Sequence, residues 1–207
     1  QVVIAGDEHQ MPPSNYFSKL LEGGYDEDED ENDSEEVKYN RVGSLLECES
    51  LLEFGAELNF DKKFLDFHYR SNHPYLIDFS NYAFYNKRLK PLPCNVNYTP
   101  IEYYNVSGQY VNQENIDECN RVIEILKNEI QRGENGEYPS VGVATFNIQQ
   151  RNTIISSIRE LTAGDNRDEN FANKIIELEE KGLFVKNLEN IQGDERDVII
   201  LSTTYGR

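Results

Sequence analysis

The stretch Lys186–Tyr205, KNLENIQGDERDVIILSTTY, says most about how this chain folds. Its apolar run Val198–Leu201 is short, β-branched and without polar alternation, so it predicts a strand buried on both faces, as in a parallel sheet. In the polar turn before it, Gly193 permits close approach of the backbone, and Glu195 offers a carboxylate to ribose hydroxyls. On this stretch alone an ordinary acidic turn before a core strand is the favoured interpretation, and a nucleotide contact is the alternative that the other blocks below support.

The rest of the chain repeats this pattern of short apolar runs separated by longer helical patterns. Val2–Ala5, Val141–Thr145 and Leu183–Lys186 predict further strands. Helices are predicted over Ser44–Leu58, Tyr75–Tyr85, Asn112–Gln131, Phe146–Leu161 and Phe171–Glu180, with one more short strand at Ile101–Tyr104. Strands that alternate with helices of this length predict an α/β fold, with a mostly parallel sheet covered on both faces.

The charge of the chain limits its partners. The formal net charge is -18, which repels nucleic acid at long range, so any contact with a strand must be local. Nine carboxylates lie within residues 26–36, a run with almost nothing to bury. We expect this run to be a disordered insertion that is dispensable for folding.

The cysteines and hydropathy point to a cytoplasmic protein. Cys48, Cys94 and Cys119 are widely spaced and odd in number, which is typical of reduced thiols rather than of a disulfide framework or a zinc site. The same spacing predicts no metal centre. No apolar run reaches membrane-spanning length, so no membrane partner is predicted.

Polar residues follow the first predicted strand in the order GDEHQMPP, residues 6–13. The carboxyl end of a strand is where open α/β sheets place their ligands. An alternative is a Walker B motif in which Asp7 holds magnesium. Gly6 interrupts the apolar run, however, and the residues that follow Glu8 do not suit that motif.

A second polar block, FHYRSNHP at residues 67–74, precedes a predicted helix. Arg70 suits an anion, because a guanidinium presents a fork of donors to phosphate. His68 and His73 could ligate a metal, but no third ligand is near in sequence, which favours hydrogen-bonding roles.

Four blocks in a fixed order carry a resemblance to a known family: GDEHQMPP, HYRSNHP, GVATFNIQQ and QGDERDVIILS. Together they resemble superfamily 1 helicases of the nonsense-decay-helicase-like group. The resemblance covers most of the chain and implies a three-layer, RecA-like domain of the P-loop NTPase type.

The resemblance implies roles at an ATP cleft. Gln10 matches motif III and Arg70 matches motif IV, so both are expected to contact the γ-phosphate and act in catalysis. Tyr69 is expected to pack against the base. Gly193 and Glu195 match motif V, where the glutamate is expected near the ribose.

The resemblance also implies a single-strand track. Thr145 and Gln150 match a stretch that lies along the nucleic-acid backbone in the family, and Ser202 is expected on the same track. Whether the strand is DNA or RNA is not implied.

The chain departs from the family pattern by lacking the phosphate-binding loop, the Walker B carboxylates and motif VI. We therefore expect a fragment: residues 1–60 end a first RecA-like domain, and residues 61–207 form a second one truncated before motif VI. ATP and Mg²⁺ are expected in the full-length protein. The isolated fragment is expected to bind neither tightly and to be inactive, because phosphoryl transfer depends on complete positioning.

The predicted function is that of an ATP-dependent DNA or RNA helicase, of which this chain forms one wall of the cleft. The alternative is an NTP-gated interaction or scaffold module that uses the helicase fold without unwinding. The expected partners are a single strand, the first RecA-like domain, and a second copy that pairs through Val2–Ala5, since an unpaired apolar strand tends to self-associate.

Overall fold

The computed structural model describes residues 2–10, 48, 50–93 and 98–205. The chain divides into two compact units, Gln1–Tyr103 and Tyr104–Arg207. The acidic run at residues 26–36 and Cys94 lie outside the described residues. The predicted domain boundary at residue 60 falls within the first unit and stays a prediction.

In the described part of the first unit there are two helices and one pair of very short strands. Helix α1, Leu51–Glu57, begins where the Ser50 side chain accepts a hydrogen bond from the Glu53 amide at 3.2 Å. Strand β1, Phe67–His68, pairs in parallel with β2, Lys90–Pro91. Helix α2, Tyr75–Ala83, follows Pro74, a residue suited to the start of a helix.

The N-terminal segment differs from its prediction. Val2–Ala5 forms no strand, and Val2 and Val3 are 70% and 83% exposed. A strand is defined by the ladder to its neighbour, and among the described residues this segment has no partner strand with which to form one.

The second unit alternates helices and strands along the chain. In order, its elements are α3 Ile116–Glu124, which continues as a π-helical turn Ile125–Glu129, β3 Val141–Thr145, α4 Ile148–Ala163, α5 Glu169–Glu180, β4 Phe184–Asn187, a 3₁₀ turn Leu188–Asn190 and β5 Val198–Ser202. The strand predicted at Ile101–Tyr104 is not formed.

The strands β4, β3 and β5 form a parallel sheet in that order. Thr145, the last residue of β3, is in register with Asn187 of β4 and Ser202 of β5. The carboxyl ends of all three strands therefore meet at one edge. The predicted α/β class with a mostly parallel sheet is confirmed.

The core of the second unit lies on one face of this sheet. Val141, Val143 and Ile200 point into a cluster with apolar residues of all three helices, including Leu126, Ile154 and Leu178, which are fully buried. On the opposite face Ile199 and Leu201 are half exposed. Gly142 lies on that face, where an added Cβ would come within 2.4 Å of the Phe184 ring.

One buried charge closes the end of the π-helical turn. The Lys174 ammonium on α5 donates hydrogen bonds to the carbonyl oxygens of Lys127 at 2.9 Å and of Ile130 at 2.5 Å. Burial lowers the pKa of Lys174.

Every helix in the described part of the chain is too short or too polar to cross a membrane.

Candidate functional site

The loop that carries Gln10 is organised around the carboxylate of Asp7. The Asp7 Oδ1 atom accepts from the His9 amide at 3.0 Å, and Oδ2 accepts from the Gln10 side-chain amide at 3.1 Å. The Tyr85 hydroxyl donates to the same Oδ2 atom at 2.5 Å. Asp7 thus ties the Gln10 loop to the segment just after α2.

These contacts change the acidity of both partners. Partial burial disfavours the charge on Asp7, but the hydrogen bonds from Tyr85, His9 and Gln10 outweigh it and lower the pKa of Asp7. Burial and the adjacent Asp7 carboxylate raise the pKa of Tyr85 to about 12. At neutral pH the pair is therefore a charged acceptor with a neutral donor.

A tight turn presents Arg70 and Tyr69. The His68 Nε2 atom accepts from the Ser71 amide at 3.2 Å and lies 2.7 Å from the Ser71 hydroxyl, which closes the turn at its two ends. Burial and the Arg70 charge lower the pKa of His68, so it serves as a neutral acceptor. Tyr69 is 74% exposed and Arg70 is also exposed. An exposed guanidinium in this position can meet an anion.

The loop before β5 is fixed by contacts of Asp194 and Arg196, the residues next to Gly193 and Glu195. Asp194 forms an ion pair with Lys186 at 2.6 Å, and the Arg196 side chain donates to the Gly182 carbonyl at 2.8 Å. Gly193 has φ +87°, and nothing beyond its chain neighbours lies within 4 Å of the position of an added Cβ. Glycine adopts this positive φ without strain, and the space beside it is open.

The predicted track residues meet at the carboxyl edge of the sheet, but their side chains face inward. Thr145, Gln150 and Ser202 are at most 1% exposed. The Thr145 hydroxyl donates to the Asn147 carbonyl at 2.8 Å, and the Gln150 side-chain amide donates to the Ser202 hydroxyl at 3.3 Å. In this conformation these groups shape the edge from within.

Gln150 also forms a reciprocal pair with Asn115. The Asn115 amide donates to the Gln150 Oε1 atom at 2.8 Å, and the Gln150 Nε2 atom donates to the Asn115 carbonyl at 3.1 Å. The pair joins the start of α3 to the start of α4. Gly108 packs against it, since a Cβ there would lie 2.0 Å from the Asn115 side chain.

Glu118 completes this edge. Its carboxylate accepts from the Ser202 hydroxyl at 2.9 Å, and each of its oxygens accepts from the Thr204 amide at 3.0 Å. The Asn115 side chain donates to the Thr204 carbonyl at 3.3 Å. The chain after β5 is thereby held at its amide and its carbonyl by the first turn of α3.

Sequence reasoning missed Asn115 and Glu118 because it placed the helix cap at Asn112. Asn112 and Gln113 instead have φ +53° and +65° and form a two-residue turn between Val111 and Glu114. Positive φ at both central residues is the geometry of a type I′ turn. The signal that was available is Asn115 followed three residues later by Glu118, since the Asn115 side chain caps the Glu118 amide at 3.1 Å.

The histidines make hydrogen bonds rather than a metal cluster in the described part of the chain. His73 accepts from the Tyr75 amide at 3.2 Å, and His68 bonds Ser71. Among the described residues no group of three or more His, Cys, Asp or Glu side chains is arranged to hold a metal ion.

Comparison with known proteins identifies related chains. The family model described as an AAA domain matches residues 92–206. An uncharacterized ATP-dependent helicase homolog of Mycoplasma pneumoniae is 35% identical over 211 residues, a match that covers 99% of this chain and 18% of the relative. An uncharacterized ATP-dependent helicase of Mycoplasma genitalium is 33% identical over 213 residues, with the same coverage.

These matches confirm the resemblance to helicases that the four sequence blocks predict. The chain spans about a fifth of the length of the curated relatives it matches. No solved structure matches it significantly.

Proposed function

Because this chain belongs to the AAA domain family, we propose that it forms one wall of the ATP cleft and part of the single-strand track of an ATP-dependent helicase. The relatives carry the name of ATP-dependent helicases, and they align with nearly the whole chain. In the full-length protein, ATP binds between this wall and a first RecA-like domain, and closure on the γ-phosphate moves the two along a strand.

Two exposed parts of the chain, the turn at Arg70 and the loop at Gly193, are proposed to contact the nucleotide. Arg70 meets the γ-phosphate from its turn, with Tyr69 beside the base. The open space beside Gly193 admits the ribose, and Glu195 accepts hydrogen bonds from its hydroxyls. Gln10, oriented by Asp7, relays the presence of the γ-phosphate. The nucleotide, with Mg²⁺, supplies the phosphoryl group whose loss drives reopening.

The strand side of the proposal uses the carboxyl edge of the sheet. Thr145, Gln150 and Ser202 hold this edge in shape from within, so contact with the phosphates passes to the backbone and to the exposed side chains around them. The formal net charge of -18 means that the chain as a whole repels a polyanion, so the strand must be bound by short-range contacts.

The exposed Arg70, held by the closed His68–Ser71 turn, is the observation that carries this function. Strand displacement by the full-length protein tests it. We expect displacement that requires ATP and is abolished by Arg70→Ala.

Arg88→Ala is the matched control. Arg88 is also exposed and pairs with Asp66 at 3.0 Å, and it lies outside the four sequence blocks, so its loss should leave displacement intact. ATP-dependent binding of a partner without any displacement would instead support an NTP-gated interaction module, the alternative to a helicase.

A further inference from the structure

Three exposed aromatic rings form a patch at the carboxyl edge of the sheet. The ring centroid of Tyr205, just after β5, lies 5.2 Å from that of Tyr110 and 6.4 Å from that of Phe146, just after β3. The three side chains are 60%, 37% and 42% exposed, in that order. We call these three residues the aromatic patch. Tyr205 meets the other two rings at interplanar angles of 55° and 63°, and all three side chains keep surface exposed to solvent.

The backbone that aims Tyr205 is strained. Thr204 has φ +70°, and the Tyr205 amide donates to the Thr203 carbonyl at 2.8 Å, which closes a γ-turn around Thr204. This form of γ-turn is rare, and a β-branched residue at positive φ is an outlier that costs about 1–3 kcal/mol. Strain of this kind persists only where the surroundings enforce it.

Glu118 and Asn115 enforce it here. Both Glu118 oxygens accept from the Thr204 amide, and the Asn115 side chain donates to the Thr204 carbonyl. Both residues are in the first turn of α3, which is fixed to α4 through Gln150. The position of Tyr205 is therefore set in advance by a buried polar network.

An unsatisfied donor lies beside the aromatic patch in sequence. The Asn147 Oδ1 atom caps α4 by accepting from the Gln150 amide at 2.8 Å, which leaves Nδ2 as the donor of that side chain. Nδ2 is buried and has no hydrogen-bond partner among the described residues. A buried donor without a partner is costly, so this part of the edge carries a second local strain beside Thr204.

We propose that the aromatic patch stacks against an unpaired base of the single strand, with Tyr205 as the main contact. This inference rests on the proposed function. Stacking on aromatic side chains is tolerant of sequence and contributes about 1–3 kcal/mol per base without using charge. An acidic chain that repels phosphates at long range gains most from such a contact.

The test measures binding of two fluorescein-labelled strands of equal length, one of deoxythymidylate and one abasic, to the full-length protein. Tyr205→Ala should weaken binding of the thymidylate strand about 5- to 150-fold, the equivalent of 1–3 kcal/mol. It should not change binding of the abasic strand, which lacks bases to stack. Tyr205→Phe keeps the ring and should bind as the wild type does.

Tyr103→Ala is the matched control, because Tyr103 is 85% exposed and lies outside the aromatic patch. Equal binding of the thymidylate strand by the wild type and by Tyr205→Ala contradicts this inference alone. Failure of the wild type to bind either strand, and an oligouridylate RNA of the same length as well, contradicts the proposed function and this inference together. A change in oligomeric state on Tyr205→Ala, with DNA affinity unaltered, would assign the aromatic patch to a protein partner and overturn the proposal.

Discussion

The Tyr85 hydroxyl donates a hydrogen bond of 2.5 Å to the Asp7 Oδ2 atom, the same atom that accepts from the Gln10 side chain at 3.1 Å. Residues 78 positions apart are thus joined through one carboxylate oxygen. The loop that carries Gln10 is positioned by a residue that the motif itself does not contain. Gln10 is expected to respond to changes at the end of α2 for this reason.

Tyr85→Phe should lower the thermal midpoint of the chain, because it leaves the Asp7 carboxylate without its shortest donor. Hydrogen bonds to charged groups contribute about 1.5–3 kcal/mol, and the partial exposure of this pair places the loss at the lower end. Tyr82→Phe removes a hydroxyl from a 68% exposed ring on α2 and should leave the midpoint unchanged. Equal midpoints for both variants would contradict the contact.

The contribution of this pair should depend on pH in a defined way. The pKa of Asp7 is lowered on folding, so its stabilisation is present above the ordinary value of 3.8 and is lost as the pH falls through the lowered value. The pKa of Tyr85 is raised from 10.0 to about 12, so its stabilisation is complete below 10.0 and is lost as the pH rises towards about 12. The midpoint difference between the wild type and Tyr85→Phe should therefore be largest between these limits. A difference that is constant across both limits would contradict the assignment.

Lys174→Met should destabilise the second unit by about 1–3 kcal/mol, since it keeps the apolar stem but leaves the carbonyls of Lys127 and Ile130 without their donor. Lys181→Met is the control. Its ammonium pairs with Glu137 at 2.6 Å on the surface, where solvent screening leaves an ion pair little effect on stability. Denaturant unfolding measures both, and equal losses would argue that Lys174 acts only as a surface charge.

Gln150→Ala should lower the thermal midpoint and weaken strand binding in proportion, because its buried amide holds Asn115 and Ser202 together. The exposed neighbour Gln149 offers a control on the same helix, and Gln149→Ala should change neither quantity by much. Loss of strand binding with an unchanged midpoint would show instead that Gln150 contacts the strand directly.

Two strands of the parallel sheet were predicted correctly from short apolar runs in the sequence. Val141–Thr145 and Val198–Leu201 are unbroken short runs, and the structure places both in the parallel sheet. The prediction that the second run is buried on both faces is wrong, because Ile199 and Leu201 are half exposed. Val2–Ala5 has the same pattern but forms no strand, because pattern alone does not supply a neighbour. The start of α3 was misplaced because two residues with positive φ, invisible in composition, make a turn before it.

The sequence predicted which residues form the candidate site, but it did not predict the contacts that position them. The polar blocks and the family resemblance singled out Arg70, Gly193 and Glu195, and the structure exposes all three. The resemblance also singled out Gln150, yet it could not reveal that this side chain is buried, because its partner Asn115 comes from another element. Side chains that act through other side chains are set by tertiary contacts, which a motif does not record.

The most direct test of the account is the rate of ATP hydrolysis by the full-length protein with Arg70→Ala, measured beside its affinity for ADP. An arginine that stabilises charge on the transferred phosphoryl group contributes about 10³–10⁵ to turnover, so kcat should fall steeply. ADP affinity should be nearly unchanged, because ADP lacks the phosphate that Arg70 meets, and Arg70→Lys should restore little of the rate, since an ammonium does not replace the planar fork. Equal loss of ATP and ADP binding, or an unchanged kcat, would contradict the assignment of Arg70 to the γ-phosphate.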